Sequence, residues 1–180
     1  MFPELIAYLI LPLYTILFAA DSNWFTANFS VIGNQIGQEK LFVLWGLIVG
    51  LYFFVCLHRI VRRMEKPLRG ARLIPAALLL HIFSITTPYL PETLPRQSRL
   101  HVIFAFFSAV CLVAALFLII WRLRQRDRKT FSPFIAGMAA ITYGSLFLLV
   151  LAGIISSALE IFFTISTGIL VCRLYRRVIG

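Results

Sequence analysis

The residues of this chain whose types could do chemistry are Ser30, His81, Glu92, Arg96, Arg99, His101 and Glu160. Glu160 demands an explanation first. It sits in SSALEIFFTISTG, an otherwise apolar stretch. A charge at the centre of a membrane-spanning helix costs roughly 2.5–3.5 kcal/mol on insertion scales, and less toward its ends. Ser156, Ser157, Glu160, Thr164 and Thr167 recur at steps of three and four, which puts them on one helical stripe. Such a stripe faces a helix bundle or a wet cavity rather than lipid. A carboxylate beside His101 or Arg99 keeps its charge, or shares a proton, at reduced cost.

Three chemistries use these residue types. Ser30, His101 and Glu92 supply the members of an acyl-transfer triad, although no Gly-x-Ser-x-Gly motif accompanies them. His81, His101 and Glu160 could ligate a metal only from separate helices. The chain lacks the His-x-x-x-His and His-Glu-x-x-His spacings, so no metal site is assigned. Glu160 and His101 could also relay protons in a coupled carrier. There is no phosphate loop, dinucleotide fingerprint or haem-type Cys-x-x-Cys-His, and no cofactor is expected.

The elements that must position these residues are membrane spans. Of 180 residues, 61% are hydrophobic and only 13% charged, and the mean hydropathy is +0.92. A soluble domain is roughly a quarter charged. The composition therefore indicates an all-α polytopic membrane protein with no separate soluble domain. Spanning ~30 Å of hydrocarbon takes about 20 residues. Six segments come close, at 4–20, 40–58, 71–88, 99–122, 133–152 and 155–174, and together they form a single bundle domain over 1–180. The first lacks the basic leader of a signal peptide and carries Glu4, so it reads as an uncleaved span. Pro12 predicts a kink within it. Ser132-Pro133 reads as an N-cap and first helical residue opening the fifth span.

The net charge of +10 does not indicate nucleic acid, because the basic residues crowd the linkers. Linker 59–72 holds Arg59, Arg62, Arg63, Lys66, Arg69 and Arg72. Linker 122–129 holds Arg122, Arg124, Arg126, Arg128 and Lys129, and the tail holds Arg173, Arg176 and Arg177. Lys40, Arg96 and Arg99 alone fall on the other side. The positive-inside rule then places both termini in the cytoplasm of a plasma-membrane protein, with the basic linkers against anionic headgroups. Loop 21–39, with Trp24, Phe25 and Phe29, is expected outside, either as an aromatic belt or as a lid dipping into the bundle. Gly46 and Gly50 form a G-x-x-x-G step, read as packing within the bundle. Cys56, Cys111 and Cys172 lie in apolar runs and read as packing residues. The oligomeric state is left open.

Three stretches resemble one bacterial six-span integral membrane family, catalogued as a domain of unknown function, number nine-nine-eight, and distantly similar to DRAM-type membrane proteins. FSVIGNQIGQEKLFVLWGLIVG resembles its Ser-x-x-Gly loop entering an aromatic second span. PYLPETLPRQSRLHVIFAFFSA resembles its Pro-acidic loop and Leu-His start of the fourth span, and SSALEIFFTISTGILVCRLYRR its last span. Ser30, Gly33, Glu92, His101 and Glu160 stand where that family has its polar positions; His81 has no counterpart. The resemblance implies a six-span fold and, through the DRAM-type relatives, membrane lipid handling, with no established reaction.

Together these readings predict an outward-facing intramembrane pocket that binds a lipid headgroup or similar amphiphile. Arg99 and Arg96 would attract a phosphate, and His101, Glu160, Ser30, Glu92 and His81 would hold polar groups. A membrane-embedded hydrolase and a proton-coupled carrier are the alternatives. Glu160 and His101 are expected to face one cavity beneath loop 21–39.

Overall fold

The computed structural model describes residues 2–34, 38–64 and 69–180. Positions 35–37 of the first loop, and Lys66, lie outside the described residues. Among the described residues all regular structure is helical. Four helices are long and apolar enough to cross a membrane: α3 (Glu39–Arg62), α5 (Pro95–Arg126), α6 (Arg128–Ala152) and α7 (Ser157–Ile179). Two shorter apolar helices accompany them, α1 (Phe2–Phe18) and α4 (Leu73–Thr86). A single-turn-and-a-half helix, α2 (Phe29–Gly33), sits in the first connection.

Several boundaries differ from the sequence reading, for identifiable reasons. α6 begins at Arg128, before the expected Ser132-Pro133 start, because Asp127 is the better N-cap: its side chain accepts the Thr130 N–H at 3.0 Å. The hydrogen bonds from Thr130 also hold the Asp127 carboxyl below its usual range. Ser132 instead accepts a hydrogen bond from Arg124 Nε at 3.1 Å. α5 reaches Arg126 and α7 reaches Ile179, because their basic last turns suit a helix C-terminus. In α1 the backbone winds as a π-helix over Ile6–Ile10 just before Pro12. A wider turn there accommodates a ring that can supply no N–H. α6 ends at Gly153, whose φ of 70° is the positive value that glycine adopts without strain, and Gly153 N–H caps Leu149 O at 2.9 Å.

The helices close on themselves. α3 packs on α4, α4 on α5, α5 on α6, α6 on α7 and α7 back on α3, while α1 lies against α3 and α7. Small residues set the close approaches. A Cβ on Gly46 would stand 2.6 Å from Ile85 Cγ2, and one on Gly50 would stand 2.9 Å from His81 Cδ2. The G-x-x-x-G step therefore faces α4 within the chain. Gly144 of α6 takes the Phe162 ring of α7 in the same way. Tyr52 OH donates to Gly168 O at 2.9 Å and fastens the α3–α7 seam. Cys56 and Cys172 are buried in the core, as free thiols.

The two ends of the ring differ in chemistry. Arg176 pairs with Glu4 at 3.0 Å, Arg59 donates to Tyr175 OH at 3.2 Å and Arg177 donates to Thr130 Oγ1 at 3.3 Å. These contacts gather the chain start, the α3 end, the α5–α6 junction and the tail at one strongly basic end. The opposite end carries α2, the α4–α5 connection and the start of α7. α6 has one buried residue among those described, Phe131, and presents Tyr143, Phe147 and Val150 outward.

Gly46→Ala should destabilise the protein by about 1–3 kcal/mol, the usual cost of overpacking. Chemical unfolding in detergent would measure it. Ile85→Ala in the same chain should couple to it by at least ~0.5 kcal/mol in a double-mutant cycle. Strict additivity would show that the two side chains do not meet.

Candidate functional site

The first connection is built inward. Asn28 caps α2 by accepting the Val31 N–H at 2.8 Å, which orients the short helix. Phe29 is fully buried, edge-on to Phe18 at 5.3 Å and to Trp45 at 4.7 Å. Aromatic pairs at such geometry gain about 0.5–1.5 kcal/mol beyond area burial. Trp45 in turn donates its indole N–H to Thr15 Oγ1 at 3.0 Å, so α1, α2 and α3 share one knot. Of the two sequence readings for this loop, the dipping lid describes Phe29, whereas Trp24 and Phe25 stay exposed.

The lid is also tied to the start of α7. A helix N-terminus leaves its first N–H groups without internal partners. Here Ser157 N–H donates to Ala27 O at 2.7 Å and Ala158 N–H donates to Trp24 O at 2.8 Å. Ser157 Oγ reinforces the first of these at 3.0 Å, and Ser156 caps the helix. One turn on, Glu160 Oε2 accepts the Phe29 N–H at 2.7 Å. The sequence reading pairs Glu160 with His101 or Arg99; the structure pairs it with a backbone amide of the lid. This bond satisfies a donor that α2 itself cannot.

The next residue, Ser30, reaches the imidazole. Ser30 Oγ lies 2.6 Å from His101 Nε2, and His101 Nδ1 lies 2.9 Å from Thr87 O. A carbonyl can only accept, so Nδ1 carries the proton. In the neutral ring Nε2 then has the lone pair and receives the Ser30 hydroxyl proton. The ring is held by Tyr89 at 5.4 Å and Phe42 at 6.4 Å, and His101 is buried. The second partner of the imidazole is thus the Thr87 carbonyl and not Glu92.

Ser30, His81, His101 and Glu160 line a single cavity of about 410 Å³ inside the helix ring, with walls from α3, α4, α5, α6 and α7. It extends along α3 from Phe42 to Leu57, roughly 22 Å at 1.5 Å per residue. Ser30, His101 and Glu160 meet beneath α2, Ser108, Thr142, Ser145 and Thr164 add hydroxyls along the cavity walls, and the far part is walled by Phe53, Leu57, Ile74 and Leu78. Phe106, Leu146 and Ile155 line it and are exposed as well, so it opens sideways between α5 and α6. The Ser145 hydroxyl, on the same wall, is buried without a hydrogen-bond partner among the described residues.

Not every sequence-predicted residue joins this site. Glu92, Arg96 and Arg99 are exposed and do not line the cavity. The proline-rich turn and the first turn of α5 project them away from the ring interior. Among the described residues no Lys or Arg lines the cavity. His81 lines the cavity, with Nε2 donating to Gly46 O at 2.9 Å. Among the described residues no three His, Cys, Asp or Glu side chains are grouped as metal ligands, and His81, His101 and Glu160 each have ring or carboxylate atoms engaged elsewhere. Tyr89 is absent from the sequence reading of the site. Thr87 acts there through its carbonyl, which residue type does not reveal.

Glu160→Gln should fold as wild type, because its amide oxygen still accepts from Phe29. Glu160→Leu strands that N–H and should cost about 1–3 kcal/mol. The loss should show as faster proteolysis or amide exchange in segment 19–34. A Leu variant with wild-type stability and protection would remove Glu160 as the anchor of the lid.

No protein-family model matches this chain, and neither does any curated protein or solved structure.

Proposed function

We propose that this chain is a single six-span bundle of the plasma membrane, with both termini cytoplasmic, and that its cavity takes up a membrane amphiphile. In this reading α1 and α4 complete the membrane domain beside the four long helices. The basic end lies against anionic headgroups of the inner leaflet, following the positive-inside rule. The resemblance to the six-span family and its DRAM-type relatives points in the same direction.

One observation carries the proposal: a largely apolar-walled cavity of about 410 Å³, open between two helices, with Ser30, His101 and Glu160 together at one end. Small-ligand sites take this form, with volumes of roughly 300–1,000 Å³ and few, convergent polar groups. A lateral opening bordered by exposed Phe106 and Leu146 admits a molecule from the bilayer rather than from water. The chain of the amphiphile would lie along α3 toward Leu57, and its head would meet Ser30, His101 and Glu160. Because no Lys or Arg lines the cavity among the described residues, an uncharged polar head suits the interior better than a phosphate. Arg96 and Arg99 remain outside as exposed charges.

Two experiments test the two halves of this reading. A long-chain alcohol carrying a diazirine should cross-link to cavity residues, and Ala105→Trp, which fills the lining, should lower the yield at least about tenfold while the protein still melts cooperatively. Unchanged yield would place binding elsewhere. For orientation, a cysteine at Gln97 in a chain without Cys56, Cys111 and Cys172 should react with an impermeant thiol reagent on intact cells. A cysteine at Gln125 should not. The reverse pattern would turn the cavity's polar end toward the cytoplasm.

A further inference from the structure

We infer that Ser30 and His101 form a nucleophile–base pair that transfers the acyl group of a long-chain carboxylic ester or thioester. The inference rests on the amphiphile-binding reading of the same cavity and names the reactive class of amphiphile that the cavity would take.

The geometry has the parts that nucleophilic catalysis by serine needs. Oγ and Nε2 are 2.6 Å apart, within the reach over which a base takes a hydroxyl proton. The opposite ring nitrogen is fixed by Thr87 O at 2.9 Å, which selects the tautomer with a bare Nε2 and stabilises the imidazolium once it forms. In a serine triad that second role belongs to a carboxylate; here a backbone carbonyl fills it. Both reacting side chains border the cavity, so the acyl chain and the hydroxyl meet in the same space. Glu160 acts as a positioning residue. Through the Phe29 N–H at 2.7 Å it sets the backbone immediately before Ser30.

The step balances as follows. Ser30 Oγ attacks the ester carbonyl carbon while its proton passes to His101 Nε2. The carbonyl–oxygen bond to the leaving alcohol breaks, or the carbonyl–sulfur bond of a thioester. The leaving group departs with the proton from Nε2, and the acyl group stays on Ser30. Water or a second alcohol then attacks the acyl-serine, giving its proton to Nε2. Ser30 Oγ recovers that proton as the acid or new ester leaves. No oxidant, reductant or metal is consumed.

Hexadecyl fluorophosphonate tests the pair, because a serine activated in this way displaces fluoride and keeps the phosphonyl group. Purified full-length protein should gain one adduct by intact mass, and peptide mapping should place it on Ser30. Ser30→Ala should abolish the adduct. His101→Gln should slow labelling about 100-fold or more. A merely structural serine–histidine hydrogen bond predicts no adduct in any of these proteins. Cross-linking without an adduct at Ser30 in the wild-type protein would overturn the catalytic pair and leave the amphiphile pocket standing. Loss of both in the wild-type protein would overturn both. The wild-type map decides the question even if Ser30→Ala fails to fold.

Discussion

The hydrogen bond from Phe29 N–H to Glu160 Oε2, at 2.7 Å, holds the polar end of this molecule together. It links α2, which is too short to be stable alone, to the first turn of α7. The neighbouring bonds from Ser157 and Ala158 to Ala27 and Trp24 align the same two segments. With α2 fixed, the Phe29 side chain fills the aromatic knot around Trp45, and Ser30 is delivered to His101. Nearly every distance that gives the cavity chemical character follows from that one docking. This also answers why a carboxylate is tolerated so near the apolar core: it satisfies the backbone of a lid that enters the bundle.

The helix ring supplies the second constraint. Irregular backbone within a membrane is tolerated where protein or a cavity surrounds it. The lid meets this condition because α3, α4, α5, α6 and α7 close around the space beneath it. Gly46 and Gly50 bring α3 against α4 and leave His81 with its Nε2 on the Gly46 carbonyl. α6 contributes little burial, which leaves the seam with α5 as the opening. Bundle packing and ligand access are therefore two results of the same arrangement of small and large residues.

Much of this could be read from residue types. Helical periodicity places Ser156, Glu160 and Thr164 on an inward stripe, and charge counting separates the basic linkers from the polar end. Ser30 and His101 are grouped by residue type, but their direct contact is not legible in the sequence, because a contact between α2 and α5 depends on how a loop folds back. Glu92, Arg96 and Arg99 mislead, since nearness to His101 along the chain does not turn a side chain toward the ring. The parts that Thr87 and Phe29 play at the site are not legible from residue type, because each bonds there through its backbone, which every residue type shares. The start of α6 goes to Asp127 rather than Ser132 because two plausible caps compete and only tertiary context, Arg124 on Ser132, separates them.

The central claim is directional: the Ser30 hydroxyl donates to a bare His101 Nε2 while Nδ1–H is held by Thr87. Nitrogen-15 NMR of histidine-labelled protein reads this directly, with His58 and His81 assigned by substitution. The account predicts a neutral His101 ring protonated on Nδ1, whose Nε2 resonance moves in Ser30→Ala while Nδ1 stays in place. A ring protonated on Nε2, or an Nε2 resonance indifferent to Ser30, would contradict it.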